Sequence, residues 1–576
     1  MVRWLRSWRR VADWPLFRSD DRLLLILLAL VVGICSGLAA LALNRSLTAL
    51  LTWLAPYRGE LWAFALPGVG AVLASLFLNQ VANDGAGHGV PEVVCAVSRQ
   101  GGKMRFRSSF SRLVSSCLTI GSGGSAGPEA PVVVSGSAIG SNIAQLFALN
   151  DRQQITLVGC GAAGAIASIF NAPISGLVFA VEVILGEWSS RNIIPIAIAA
   201  VAGTEVSRSL QGNQIVFEHR LFDIHLPDYF ASAGLAVCAA VASVLLTRLL
   251  YATHRLAGKA VGIKWLRAGV GGCLVGAIGF GLPVVLGEGY HAIDEMIAGE
   301  FSAGLAIVAA AVLAKILATA LTLGSGGSGG IFAPSLVIGS LVGLVYHRAL
   351  VMLWPSVGWV EEGCFALLGM AGLISGMLQA PLTGIFLIVE ITGGYDVILP
   401  LIIVSTIATA ICHSLEPASF YMKELVERGQ LLRPGTDARV LSDMRVSEMI
   451  ETDCAVVPPQ MHLREFIEVV KRSRRNFFPV VDPEDQRFLG LVRLDDIRPH
   501  LFDPLLYDAV VVGQIMDSQV QAASPEDDLN QVLQHMDAAR LFSMPVVSRG
   551  RFLGMISKAT LLDRYRRELM VQTHWR

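Results

Sequence analysis

Gly127-Pro-Glu129-Ala-Pro131 sets a carboxylate at the opening of an apolar run, Val132 to Phe147, behind a lead-in of glycine and serine. Proline suits a helix start, glycine lets backbone approach closely, and free N–H groups at a helix N-terminus make an anion site. Glu129 is therefore an anion tethered beside an anion site. Interaction with the helix dipole alone would account for a first-turn glutamate, but a carboxylate at membrane depth is costly and by default functional. Gly330-Ile-Phe-Ala-Pro334 repeats the arrangement, and Gly87-His-Gly-Val-Pro91 is a third glycine-rich opening before a short helix. The long glycine runs are not followed by the Gly-Lys-Ser/Thr of a nucleotide P-loop and follow no strand pattern, which argues against ATP hydrolysis.

These loops need elements to hold them. Apolar segments long enough to cross about 30 Å of hydrocarbon run over 22–43, 61–82, 192–207, 228–250, 266–286, 303–323 and 398–413. Between them, residues 90–98, a basic stretch (Arg99, Lys103, Arg105, Arg107, Arg112) and a second short apolar run predict a half-helix hairpin facing the cytoplasm. Broken backbone at membrane depth is tolerated only where it is buried in protein or lines a wet cavity. An internal repeat organises the whole. Gly121-Ser-Gly-Gly-Ser-Ala-Gly127 recurs as Gly324-Ser-Gly-Gly-Ser-Gly-Gly330, Asn171-Ala-Pro173 as Gln379-Ala-Pro381, and Glu182 as Glu390. Two membrane halves, about 22–210 and 228–425, follow within a transmembrane domain of 22–430. Paired glycine-interrupted segments in two such halves point to a transport site at their interface. Glu182 and Glu390, at the ends of apolar segments, read as helix-end partners.

Composition sets the class. The 576 residues are 53% hydrophobic and only 16% charged, with mean hydropathy +0.58; a soluble chain carries about 25% charged residues. This is a lipid-embedded protein. A net charge of −1 gives no basic field for nucleic acid. The nine cysteines stand singly, without metal-ligand spacing, as small core residues. Residues 1–21 form a basic, Trp-bearing lead-in (Arg3, Arg6, Arg9, Arg10; Trp4, Trp8, Trp14), which the positive-inside rule assigns to the cytoplasm. There is no His-Glu-x-x-His, no nucleophile elbow and no pair of catalytic carboxylates within one motif, so no enzyme is expected.

Taken in order, the motifs at 87–91, 127–131 and 330–334 resemble the three filter motifs of the CLC chloride channel and chloride/proton exchanger family, over about residues 20–430. Ser419-Phe-Tyr421 resembles the segment carrying that family's pore tyrosine. The resemblance implies an all-α membrane protein, an inverted-repeat helical bundle that dimerises with one pore per subunit. It implies a bacterial inner (plasma) membrane protein with both termini cytoplasmic and small anions, chloride first, as substrate. His88, Gly89, the amides of Ile331 and Phe332, and the Tyr421 hydroxyl would hold the anion, and Glu129 would be the gating glutamate competing with it. Three positions differ from the family pattern: His88 stands where serine is common, Ala130 replaces the glycine after the gating glutamate, and Val183 occupies the inner proton-relay position held by glutamate in many exchangers. A ring N–H of His88 would replace the serine hydroxyl, with a charge that varies near neutral pH. The fluoride-specific branch has methionine at the His88 position.

The charged tail also repeats: Phe478-Pro-Val-Val-Asp482 with Phe488-Leu-Gly-Leu-Val492 returns as Met544-Pro-Val-Val-Ser548 with Phe552-Leu-Gly-Met-Ile556. Alternating short apolar runs and amphipathic stretches predict two α/β modules, which resemble a pair of cytoplasmic CBS domains at 443–500 and 510–566. Such pairs often bind adenine nucleotides through a Ser/Thr and, three residues later, an Asp at the ribose; here Asp496 in one module and Ser557 in the other retain half of that pattern. A purely structural tail is the other reading. Because Val183 has no titratable atom, passive, voltage- or pH-gated chloride conduction is the expected activity, with chloride/proton exchange through an unusual inner relay as the alternative. A CBS-regulated divalent-cation transporter is the reading from a different class; it would need several carboxylates at membrane depth, whereas amide-exposing loops favour anions.

Overall fold

The computed structural model describes residues 21–84, 89–213, 217, 220–427, 444, 446–473, 475–500, 503–539 and 541–573. The basic N-terminal segment and His88 lie outside these residues. Contacts divide the chain into two units, Met1–Leu431 and Leu432–Arg576.

The first unit is helical, and its two halves match helix for helix. The first half holds α1 (Asp21–Leu54), α2 (Leu66–Leu76), α3 (Val90–Arg99), α4 (Ser108–Gly121), α5 (Glu129–Leu146), α6 (Asp151–Phe170), α7 (Pro173–Phe179) and α8 (Ser190–Gln211). The second holds α9 (Leu226–Ala260), α10 (Lys264–Gly281), α11 (Tyr290–Ala298), α12 (Leu305–Gly324), α13 (Phe332–Leu353), α14 (Glu362–Leu378), α15 (Pro381–Thr392) and α16 (Ile398–Leu415), and α17 (Phe420–Glu427) follows. The half-helix hairpin is α3 and α4. Among the described residues, eight helices are long and apolar enough to cross a membrane. Two of them, α6 and α13, lie outside the spans expected from the sequence, and both are interrupted by glycines and serines.

Those interruptions have a packing cause. In lipid there is little hydrophobic drive between helices, so small residues that let backbones touch supply the association. Gly136 of α5 and Gly161 of α6 each stand against the other's carbonyl, and Gly339 of α13 and Gly369 of α14 do the same in the second half. A β-carbon at any of the four would collide with backbone.

The matched halves also share their local punctuation. α6 starts with a capping box, Asn150 Oδ1 accepting from Gln153 N at 2.9 Å. It ends at Asn171 (φ 54), and α14 ends at Gln379 (φ 53); both are left-handed and each is followed by Ala-Pro, the proline opening the next short helix. Each half then caps the other. Glu390 accepts from Ile174 N (2.9 Å), Ser175 N (2.6 Å) and Ser175 Oγ (2.6 Å) at the start of α7. Glu182 accepts from Leu382 N (3.2 Å), Thr383 N (2.7 Å) and Thr383 Oγ1 (2.7 Å) at the start of α15. Both glutamates are thus helix-end partners across the repeat.

The second unit contains two modules. In the first, α18 (Leu463–Arg472) packs on the antiparallel pair β1 (Phe477–Val481) and β2 (Phe488–Arg493) around Phe466, Phe478 and Val492. In the second, α19 (Leu529–Ala538) packs on β2's counterpart hairpin, β3 (Ser543–Ser548) and β4 (Arg551–Ser557), around Met536, Val546 and Ile556. α20 (Lys558–Thr573) follows β4 directly. Both hairpins carry a register shift at the same repeat position, Val480/Val481 and Val546/Val547. The modules meet around stacked Phe488 and Phe552, 6.0 Å apart, with Phe488 N donating to Gly550 O and Phe552 N to Gln486 O, both 3.1 Å.

Candidate anion pathway

The two long glycine loops cross at the centre of the membrane unit, and there they bond reciprocally. Gly127 N donates to Gly330 O (2.8 Å) and Gly330 N to Gly127 O (2.7 Å). Hydroxyls fix the crossing on both sides: Thr322 Oγ1 accepts from Ser125 N (3.0 Å) and Thr119 Oγ1 from Ser328 N (3.2 Å). The crossing brings the N-termini of α5 and α13 together, so their dipoles and free amides address one region.

Glu129 lies in that region with 1% of its surface exposed. Its carboxyl turns back over Gly127, where Oε2 and Ala333 occupy the space a β-carbon would need, so only glycine fits at 127. The backbone amides of Glu129 and Ala333 face the carboxyl, and Tyr290 Oη donates to Oε1. Oε2 accepts no well-formed hydrogen bond among the described residues.

Next to the crossing, a narrow cavity is lined by Gly89, Ala130, Pro131, Gly330, Ile331 and Tyr421. Gly89 has φ 81, which turns the chain into α3. Tyr421 is 2% exposed, its ring set edge-on to Phe420, and its hydroxyl makes no hydrogen bond among the described residues. The cavity wall also carries His254, Arg112, whose guanidinium is paired with Glu92, and Arg267, whose Nε donates to Ser325 O at 3.0 Å.

The voltage gated chloride channel profile matches residues 70–413, and CBS domain profiles match 446–503 and 512–567. The chain belongs to the voltage gated chloride channel family. Its relatives include the H(+)/Cl(-) exchange transporter ClcA of Yersinia pestis, 28% identical over 422 residues, covering 70% of this chain and 87% of the relative. They also include a putative chloride channel protein ClcB-like of Ralstonia nicotianae, 30% identical over 416 residues, covering 70% and 96%. A slow cyanobacterial Cl-/H+ antiporter shares the fold at TM-score 0.64, with 24% identity and 70% and 98% coverage. A eukaryotic CLC transporter shares it at TM-score 0.63 with 17% identity, covering 94% and 99%. The protein is a multi-pass anion transporter of the CLC family with a CBS pair, and its relatives are transporters and not enzymes.

Of the residues expected at the pore of this CLC protein, Gly89, Ile331 and Tyr421 share the cavity wall, and Glu129 lies at the loop crossing beside it. Phe332 is buried at the start of α13, its ring against Phe170 (5.6 Å) and Phe179 (6.1 Å). Val183 is 5% exposed within the π-turn Ala180–Leu185, in the apolar core.

Sequence reasoning missed Lys315, Glu288 and Tyr290. Lys315 is fully buried in α12, and its Nζ donates to Val285 O (3.0 Å) and Gly287 O (3.1 Å). Glu288 interacts electrostatically with Lys315 and Glu129. Lys315 is the repeat counterpart of Arg112, which pairs with Glu92 at 2.8 Å and Asp84 at 3.9 Å. Two signals were present: a lone lysine in an otherwise apolar helix, and Gly287-Glu-Gly-Tyr290 echoing Gly87-His-Gly-Val90.

In the CBS pair, both residues proposed for ribose are already engaged. Asp496 Oδ2 accepts from Arg493 Nε at 3.1 Å, and Arg493 also reaches Asp517 at 3.0 Å. Ser557 Oγ donates to Glu451 Oε1 at 2.5 Å, Thr560 Oγ1 donates to the same oxygen, and Arg475 pairs with Oε2. Burial pushes the Glu451 carboxyl up, but these hydrogen bonds and the guanidinium outweigh it and hold the group below the ordinary carboxylate range. A depressed carboxyl stabilises the fold above its unfolded pKa and loses that contribution as pH falls through its folded one. Acidification below about pH 4 should therefore loosen the Ser557 end of β4, and Glu451→Gln should remove part of that acid sensitivity, read as amide-exchange protection across 551–560.

Proposed function

We propose that this chain exchanges chloride for protons, with Glu129 as the group that both blocks the anion route and carries the proton. The observation that carries this reading is the position of its carboxyl, buried at the meeting of two helix N-termini, faced by the amides of Glu129 and Ala333 and bonded by Tyr290, with the next residue, Ala130, in the cavity wall. A carboxylate there competes with chloride for the same amides; protonated, it has no claim on them. Anion passage and proton uptake then use one group, which is the physical basis of coupling. The relatives named as H(+)/Cl(-) exchange transporters support this choice over passive conduction. Gly89, His88, the Ile331 and Phe332 amides and the Tyr421 hydroxyl hold the anion on the cavity side, which faces the cytoplasm of a bacterial inner membrane, and the chain works as a homodimer with both termini cytoplasmic.

Val183 favours the second reading, passive conduction, because an aliphatic side chain gives a proton no stopping place. In the exchanger, water in the cavity must carry the proton instead, since Glu182 is committed to the start of α15. Vesicles loaded with chloride and diluted into low chloride at equal pH decide between the readings: an exchanger acidifies the interior as chloride leaves, and a conductor does not.

The free hydroxyl of Tyr421 gives a smaller prediction. Losing one neutral donor to a bound anion costs about 1–2 kcal/mol, so Tyr421→Phe should weaken chloride binding roughly fivefold to thirtyfold by calorimetry, with proton coupling retained. Unchanged affinity would remove Tyr421 from the anion site. For the tail, the engaged states of Asp496 and Ser557 support a structural role. Millimolar ATP, ADP or AMP should leave the unfolding temperature of the full protein unmoved, and a clear upward shift would establish a nucleotide site.

A further inference from the structure

We infer that Tyr290 is a latch that holds the Glu129 carboxylate in the anion route and thereby sets the pH at which transport switches on; this rests on the reading of Glu129 as the gate. Three features hold the tyrosine in place. Gly289, at φ 85, turns the chain directly into α11, so Tyr290 is its first residue. The loop before it is pinned twice, by Lys315 Nζ on the carbonyls of Val285 and Gly287 and by Gly287 N on Gly123 O (3.2 Å), within the glycine run that leads to Glu129. The ring is set edge-on against Phe217 at 6.0 Å, and Phe217 N is bonded to Ile391 O at 3.0 Å. A phenol aimed by three independent anchors at one carboxyl oxygen is preorganised for that partner.

The repeat sharpens the point. Gly87-His-Gly-Val90 and Gly287-Glu-Gly-Tyr290 are counterpart loops, with Gly89 and Gly289 sharing a positive φ. The first helps line the cavity through Gly89, whereas the second presents a donor to the gate. The titratable and charged groups facing Glu129 are Tyr290 of α11, Glu288 of its loop, Tyr421 of α17 and, through Glu288, Lys315 of α12. Among the described residues, only Tyr290 bonds the carboxyl directly by side chain. A phenol O–H donates more strongly to a carboxylate than to a carboxylic acid, so the latch favours the ionised, blocking form, and protonation releases it.

Tyr290→Phe keeps the ring and its Phe217 contact and removes only the donor. A hydrogen bond to a charged group is worth roughly a tenfold change or more in the blocked-to-released ratio. The pH of half-maximal chloride flux in vesicles should therefore rise by about one unit, with faster flux at neutral pH and an unchanged unfolding temperature. In a Glu129→Gln background the same substitution should produce no further shift, because the latch has no carboxylate to hold. Equal shifts in both backgrounds, or an unmoved profile in the single variant, would overturn the latch. Glu129→Gln that still pumps protons would instead sink the gate assignment, so the two failures are distinct.

Discussion

Glu129→Gln should continue to pass chloride while proton movement falls to background and the pH dependence of flux disappears. The amide is nearly isosteric with the carboxyl and still offers an oxygen to Tyr290, so the crossing of the glycine loops stays intact. What it loses is charge. An anionic side chain at a helix N-terminus gains up to about 2 kcal/mol in partly buried geometry, and here two helix N-termini converge, so the neutral amide no longer competes with chloride. It also has no proton to take up or release. Chloride flux within about tenfold of the parent, flat from pH 4.5 to 8, is the expected record from vesicles reporting chloride and internal pH together. Retained proton pumping would place the coupling group elsewhere.

Lys315→Met should be the most damaging single change in the membrane unit. The ammonium is fully buried and satisfies two carbonyls of the loop that sets Tyr290. A thioether of similar length fills the space but leaves both carbonyls without a donor and Glu288 without its cation. A buried acceptor left without its donor costs about 1–3 kcal/mol, and two carbonyls are affected, so a large drop in unfolding temperature in detergent is expected, with loss of the latch's pH control in whatever protein survives. Glu288→Gln is the control: Glu288 is half-buried and Lys315 keeps its carbonyls, so the loss should be much smaller. Equal losses would mean that the electrostatic interaction of Lys315 with Glu288, and not the carbonyl anchoring, supports the loop.

The Glu129 motif was legible in the sequence because it is local: one glycine, two prolines and a carboxylate within five residues, behind a glycine-rich run that recurs before Gly330. The caps formed by Glu182 and Glu390 were legible for a similar reason, since matching positions at segment ends imply matching partners. α6 and α13 were harder because the glycines through which they touch neighbouring backbones interrupt the continuous apolar run that marks a span. Tyr290 and Glu288 stayed hidden because their loop meets Glu129, 161 residues before Tyr290, only through the fold, and Lys315 because it reaches that loop from another helix. Ser557 was read as a ribose contact from its spacing to Thr560, and the partner that occupies it, Glu451, is 106 residues distant. Val183 is aliphatic and lies in the apolar core; passive conduction follows from it only if protons must step on a side chain, which a water-mediated route does not require.

Coupling is the central claim, and a pH gradient imposed across vesicles with equal chloride on both sides tests it most directly. An exchanger must convert the proton gradient into chloride movement against a chloride gradient of zero, so chloride should accumulate on the more acidic side until the two gradients balance, and Glu129→Gln should abolish the accumulation. Chloride that stays equal on both sides, with potassium and valinomycin holding the membrane potential at zero, would contradict exchange and establish this protein as a conductor.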